Sequence, residues 1–150
     1  MRRRLPLIIA VLAALALPAI AIAATKNYGG KLGPPGANIE LSAYPKHGPT
    51  TKVTRFAWNN VPTQCGRRGS SATTGDLHRD MKVNKKKKFH GTFHLNSGHE
   101  TVEIHGRFKH KGKKASGTLR VTGNVPGCSN SDTGVVHWKV HRHHPKKKHH

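Results

Sequence analysis

Between Phe89 and Val121 apolar and polar residues alternate with a period of two, in three successive runs whose faces match. Phe89, Gly91, Phe93 and Leu95 alternate with His90, Thr92 and His94. After Asn96-Ser97-Gly98-His99 the pattern resumes with Val102, Ile104, Gly106 and Phe108. Side chains two apart share one face of a strand, so these runs predict half-buried β-strands. Pairing them across a two-residue Ser97-Gly98 loop sets Phe93 opposite Val102 and His90 opposite His105. A slip of one residue would bring apolar against polar side chains, so the register is self-consistent. After a turn from His110 to Lys114, Gly117, Leu119 and Val121 supply a third inward row, with Thr118, Arg120 and Thr122 outward. Val136, Trp138 and Val140 predict a last strand.

Upstream the pattern is weaker. Ile39, Leu41 and Ala43 predict an edge strand ending at Pro45, and Met81 and Val83 a short one. Val53 to Trp58 reads as a strand whose inward face is ambiguous. No window of helical length after the first 24 residues carries a 3.6-residue apolar stripe. The expected fold class is all-β: a small antiparallel β-sandwich or partly open barrel with one disulfide, preceded by a signal peptide. Two layers are favoured, because a single sheet would leave one apolar face wet. Residues 24–37, with paired glycines and paired prolines, read as a flexible linker. The β domain is expected over 38–141, and residues 142–150, RHHPKKKHH, as a solvated, disordered basic tail.

The first 23 residues have the build of a secretory signal peptide. Arg2, Arg3 and Arg4 precede the apolar run Leu5 to Ala23, which ends in small residues suited to cleavage. The run is also long enough to span a bilayer if kept as an anchor; with cleavage, no transmembrane segment follows. A secreted or cell-envelope location is the expectation. Cys65 and Cys128 then read as one disulfide, because an exported chain meets an oxidising compartment. Such a cross-link, closing a long loop, is worth roughly 4 kcal/mol in chain entropy.

Removal of the signal leaves 24 Lys and Arg against six carboxylates, a net charge of +18 with His neutral. A field that strong attracts polyanions without specifying one. Outside a cell the expected partners are anionic surface polymers, lipid headgroups and released nucleic acid. Lys85, Lys86, Lys87, Lys88, Lys111, Lys113 and Lys114 fall at turns or strand starts, and Lys146, Lys147 and Lys148 in the tail. These ten are the candidate polyanion-binding residues. Sequence-specific nucleic-acid recognition is disfavoured: Phe89, Phe93, Phe108 and Trp138 all fall on inward faces, which leaves Tyr28, Tyr44 and Trp58 as possible stacking groups.

Histidine is over-represented, with 13 residues. His141, His143, His144, His149 and His150 could collect Zn, Cu or Ni by wrapping the ion; the plainer alternative is extra positive charge below about pH 6.5. Asp76, His78 and Asp80 would share one face of a strand and offer a second ligand set, or merely soften a basic surface around Arg79. His90 opposite His105 is a third pair, otherwise two exposed strand residues.

Successive Gly-x-Phe strands (Gly91-Thr92-Phe93 and Gly106-Arg107-Phe108), then Ala115-Ser116-Gly117-Thr118-Leu119, then Gly127-Cys128 with Gly134 and Trp138, resemble small secreted actinobacterial β-proteins, which are usually carried as uncharacterised. The resemblance spans roughly residues 38–140. It implies an antiparallel β-fold with a Cys-Cys link and no particular activity. The stretch from Cys128 to Gly134 is long for that pattern, and the lysine and histidine load is heavy.

Catalysis finds no support, and no catalytic residues are assigned. No G-x-S-x-G elbow is present, both cysteines are expected to be oxidised, and Glu100 and Glu103 crowd one hairpin rather than flanking a cleft. The reading is a non-enzymatic exported cationic β-domain that needs no cofactor and binds anionic surface polymers. The alternatives are metal sequestration by the tail and a secreted protein-interaction scaffold.

Overall fold

The computed structural model describes residues 24–66 and 69–143. Ten strands form one antiparallel sheet: β1 (Lys26–Lys31), β2 (Asn38–Tyr44), β3 (Lys52–Cys65), β4 (Gly69–Leu77), β5 (Met81–Lys82), β6 (Lys88–Leu95), β7 (Glu100–Lys109), β8 (Lys114–Val125), β9 (Cys128–Asp132) and β10 (Val136–Arg142). The fold is all-β, as the alternation predicts. Its pairings run β10–β1–β2–β3–β9–β8, and β10 also pairs with β8, so they close a circuit. β7 and β6 continue from the other edge of β8, while β4 and β5 pair with β3. A curled single sheet therefore encloses the core, where the sequence favoured two stacked layers. Closure removes the wet apolar face that a flat sheet would have.

The predicted hairpin register holds: Phe93 pairs with Val102 and His90 with His105. The connection is longer than expected, because pairing ends at Leu95 and Glu100. Asn96, Ser97 and Gly98 all turn at positive φ. Val102, Ile104, Phe108, Leu119, Val121, Trp138 and Val140 are buried as read. Five aromatics cross the core in contact: Tyr28 to Phe108 at 5.5 Å, Phe108 to Phe89 at 5.3 Å, Phe89 to Trp138 at 6.2 Å and Trp138 to Phe56 at 5.4 Å. Each fully buried aromatic contributes roughly 2–3 kcal/mol by removing apolar surface from water.

β3 explains its own ambiguity. Its pairing with β2 shifts register between Ser42 and Ala43, so Val53 and Phe56, three apart, both point inward. Its pairing with β4 shifts again between Trp58 and Val61, where Asn60 has φ 52°, and both flanking residues are again buried. Two bulges break the period of two that the sequence reading relies on.

Two boundaries and the place of one strand need correction. Residues 24–37 are not a flexible linker: β1 lies within them, paired with β2 and β10. Buried Tyr28 anchors β1 and donates its hydroxyl hydrogen bond to the Gly112 carbonyl at 2.7 Å. Gly30 lets β1 pass close to β10, since a Cβ there would meet the Lys139 carbonyl. With β1 beside it, β2 is an interior strand rather than an edge. The domain also runs past residue 141: Arg142 ends β10, and the His143 amide donates to the Asn27 carbonyl at 2.8 Å. The expected signal peptide (1–23) and the rest of the tail (144–150) lie outside the described residues.

The disulfide forms between Cys65 and Cys128, 63 positions apart, with Cα atoms 5.3 Å from each other. It ties the end of β3 to the start of β9, where those two strands share only the Gln64–Asp132 and Cys65–Ser131 pairs.

Candidate functional site

Antiparallel order sends alternate strand ends to opposite mouths of the barrel. At one mouth β1, β3, β6 and β8 begin and β2, β5, β7 and β10 end. Twelve of the fourteen described lysines sit there, in those strand ends or the turns between them; Lys31 and Lys139 are the exceptions. Lys85, Lys86, Lys87 and Lys88 form the β5–β6 turn and the first residue of β6. Lys111, Lys113 and Lys114 form the β7–β8 turn and the first residue of β8. The Phe108 amide donates to the Lys87 carbonyl at 2.9 Å, which fastens one lysine turn against the other. The structure thus brings together all seven described candidates for polyanion binding. Lys146, Lys147 and Lys148 lie outside the described residues, as do Arg67 and Arg68 after β3.

The carboxylates are spent elsewhere. Arg55 holds both Glu40 and Asp76, and Arg120 holds Asp132 through two hydrogen bonds. Those guanidinium contacts keep the Asp76 and Asp132 carboxyls below their ordinary range. Glu100 accepts from Asn96 Nδ2 at 2.8 Å, and burial pushes its carboxyl above the usual value. At the lysine mouth only Asp80 is acidic, and it is engaged by Lys52. Among the described residues no ion pair uses Lys82, any of Lys85 to Lys88, or Lys109 to Lys114.

One lysine differs from the rest. Lys26, at the start of β1, is only 5% exposed. Its Nζ donates to the Gly48 carbonyl at 2.6 Å and to Thr50 Oγ1 at 3.2 Å. Burial, and then the nearby Arg142 charge, lower its pKa from the ordinary value. It lines a cavity of about 370 Å³ together with Pro49, Lys87, Phe108, Lys109 and Lys111. The linker reading passed over this residue. The signal was there to be found: Lys26 and Tyr28 are two apart, on one face of a short strand, next to glycines that allow close packing.

The candidate metal sets come out differently. β4 ends at Leu77, so Asp76, His78 and Asp80 do not share a strand face. Asp76 binds Arg55 and lies 3.3 Å from His78 Nε2, while Asp80 turns to Lys52. His141 is on the outward side of β10 and the His143 ring packs over Gly29; His144, His149 and His150 lie outside the described residues. His90 and His105 stack with ring centroids 6.0 Å apart on the outer face of the hairpin. Among the described residues no three His, Cys, Asp or Glu side chains cluster as metal ligands would.

The stacking groups change. Tyr28 and Trp58 are each 1% exposed, which leaves Tyr44 of the three, with Lys52 Nζ 5.8 Å above its ring, while Phe93, expected to face inward, is only partly buried. Comparison with protein-family models, with curated proteins and with solved structures returned no match.

Proposed function

We propose that the lysine mouth of the barrel binds anionic polymers electrostatically, outside the cytoplasm and without catalysis. The observation that carries this reading is segregation. Solubility is served by charge anywhere on a surface, whereas gathering like charges at one end costs self-repulsion. Here, apart from Asp80 on Lys52, the acids that could relieve that repulsion sit on β2, β4, β7 and β9, mostly against arginines. The rim of unpaired ammonium groups offers a polymer many point contacts, each releasing counterions on binding. With Tyr28, Trp58, Phe56, Phe89, Phe108 and Trp138 buried and only Tyr44 and Phe93 partly exposed among the described Phe, Tyr and Trp, contact falls on the polymer's charges and not on base identity.

The test compares charge-neutralised variants at equal ionic strength. Replacing Lys85, Lys86, Lys87 and Lys88 with Gln is expected to weaken binding to soluble polyphosphate at least tenfold. Replacing Lys31 and Lys139, away from the mouth, should change it less than twofold. Equal losses per lysine replaced in the two sets would mean that total charge alone matters, and would overturn the assignment.

A further inference from the structure

We infer that the Lys26 cavity is a discrete subsite for one dianionic end group, of phosphate-monoester type, whose substituent packs against Pro49 and Phe108. The inference rests on the polyanion reading of the same mouth and narrows it from a charged rim to a single built pocket. An ammonium carries three protons and no acceptor. Lys26 spends two of them on neutral oxygens, the Gly48 carbonyl and Thr50 Oγ1. Among the described residues it has no carboxylate partner. A buried charge without a counterion costs stability, and an apolar side chain of similar length would fill the space without that cost.

The surroundings define which anion would suit this ammonium. Lys87, Lys109 and Lys111 line the same cavity, from the β5–β6 turn, the end of β7 and the turn after it, and His110 stands between the last two. Three further lysines lining the cavity beside the buried one favour a doubly charged group over a singly charged one. The Phe108 and Pro49 walls and the volume of about 370 Å³ leave room for an uncharged substituent beside the anion. Lys26 can therefore read the end of an anionic chain, while the exposed lysines hold its length.

The test uses the 15N-labelled protein titrated with phenyl phosphate, inorganic phosphate and benzoate at fixed ionic strength. Phenyl phosphate is expected to saturate one site, with amide shifts confined to Lys26, Gly48, Thr50, Lys87 and His110 to Gly112. It should bind at least tenfold more tightly than benzoate and more tightly than inorganic phosphate. Lys26→Met should abolish the saturable shifts, and Lys31→Gln should leave them unchanged. If Lys26→Met fails to fold, the location and saturation of the shifts in the unaltered protein decide the question alone. Shifts spread evenly over the rim, or benzoate binding as tightly as phenyl phosphate, would overturn the subsite. Polyphosphate binding measured on the same sample keeps the two claims apart: its survival would leave the rim standing without the pocket, and its absence would remove both.

Discussion

Trp138 on β10 pairs directly with Gly117 on β8, and its indole fills the space where a side chain at position 117 would begin. A Cβ there would collide with the His105 carbonyl as well as with Trp138. The same device recurs where Phe89 faces Gly106 and Trp58 faces Gly75. The glycines are thus part of the core pattern: each aromatic takes the volume its cross-strand neighbour gives up. Gly117→Ala is expected to destabilise by about 3 kcal/mol, since backbone must move, and Gly106→Ala by about 1–2 kcal/mol, since only the Phe89 ring must. Gly33→Ala meets nothing within 4 Å and should be near neutral. Urea denaturation of the three variants measures the order, and a Gly33 variant as damaged as the Gly117 one would refute it.

The Cys65–Cys128 bond fastens strands that share only two backbone pairs, so little else holds β9 to β3. Reduction, or replacement of both cysteines by Ser, should lower stability by about 4 kcal/mol. Thermal unfolding with and without reductant reads this directly. An unchanged midpoint would show that the β8–β9 pairing suffices.

Acid stability should reflect two opposed sets of carboxyls. Asp76 and Asp132 have folded pKa values held below 3.8 by Arg55 and Arg120. The stability they contribute is present above pH 3.8 and is lost as pH falls through those depressed values. Glu100 works the other way, because burial raises it above 4.5. Its folded state holds the proton more tightly, so stability declines as pH rises from 4.5 through the raised value. Glu100→Gln should remove that decline and leave the acid loss below pH 3.8 intact. Unfolding measured in half-unit pH steps separates the effects, and a variant still declining above pH 4.5 would contradict the assignment.

Where the domain ends has a measurable consequence. A chain stopped at Val140 loses the Arg142 amide bond to the Lys113 carbonyl, at 2.9 Å, and the His143 amide bond to Asn27. It should be about 1–3 kcal/mol less stable than a chain stopped at His143. Comparing the midpoints of those two truncations checks the boundary, and equal values would restore the shorter domain.

What the sequence made legible tracks how cleanly each strand keeps its period. From Phe89 to Val121 every inward strand position except Glu100 is apolar or glycine, and the register could be read residue by residue. β3 broke the period at two bulges. β4, GSSATTGDL, gave no apolar signal because Thr73 and Gly75 line its inward face and the Trp58 ring supplies the missing bulk. β1 was hidden by its glycines, which serve close packing against β10 rather than flexibility. The lysine turns were visible singly. Their convergence on one mouth was not, because it follows from strand direction around a closed circuit and not from local pattern. Lys26 was lost with β1, and the cavity it lines went with it.

The central claim, that the lysine mouth binds anionic polymers through charge, is tested most directly by polyphosphate binding across a salt series, with and without chelator. The account predicts strong binding at low salt and a linear fall of log K with log salt, indifferent to chelator. Each lysine in contact should contribute about one unit to the slope. Binding that ignores salt, or that chelator abolishes, would contradict it.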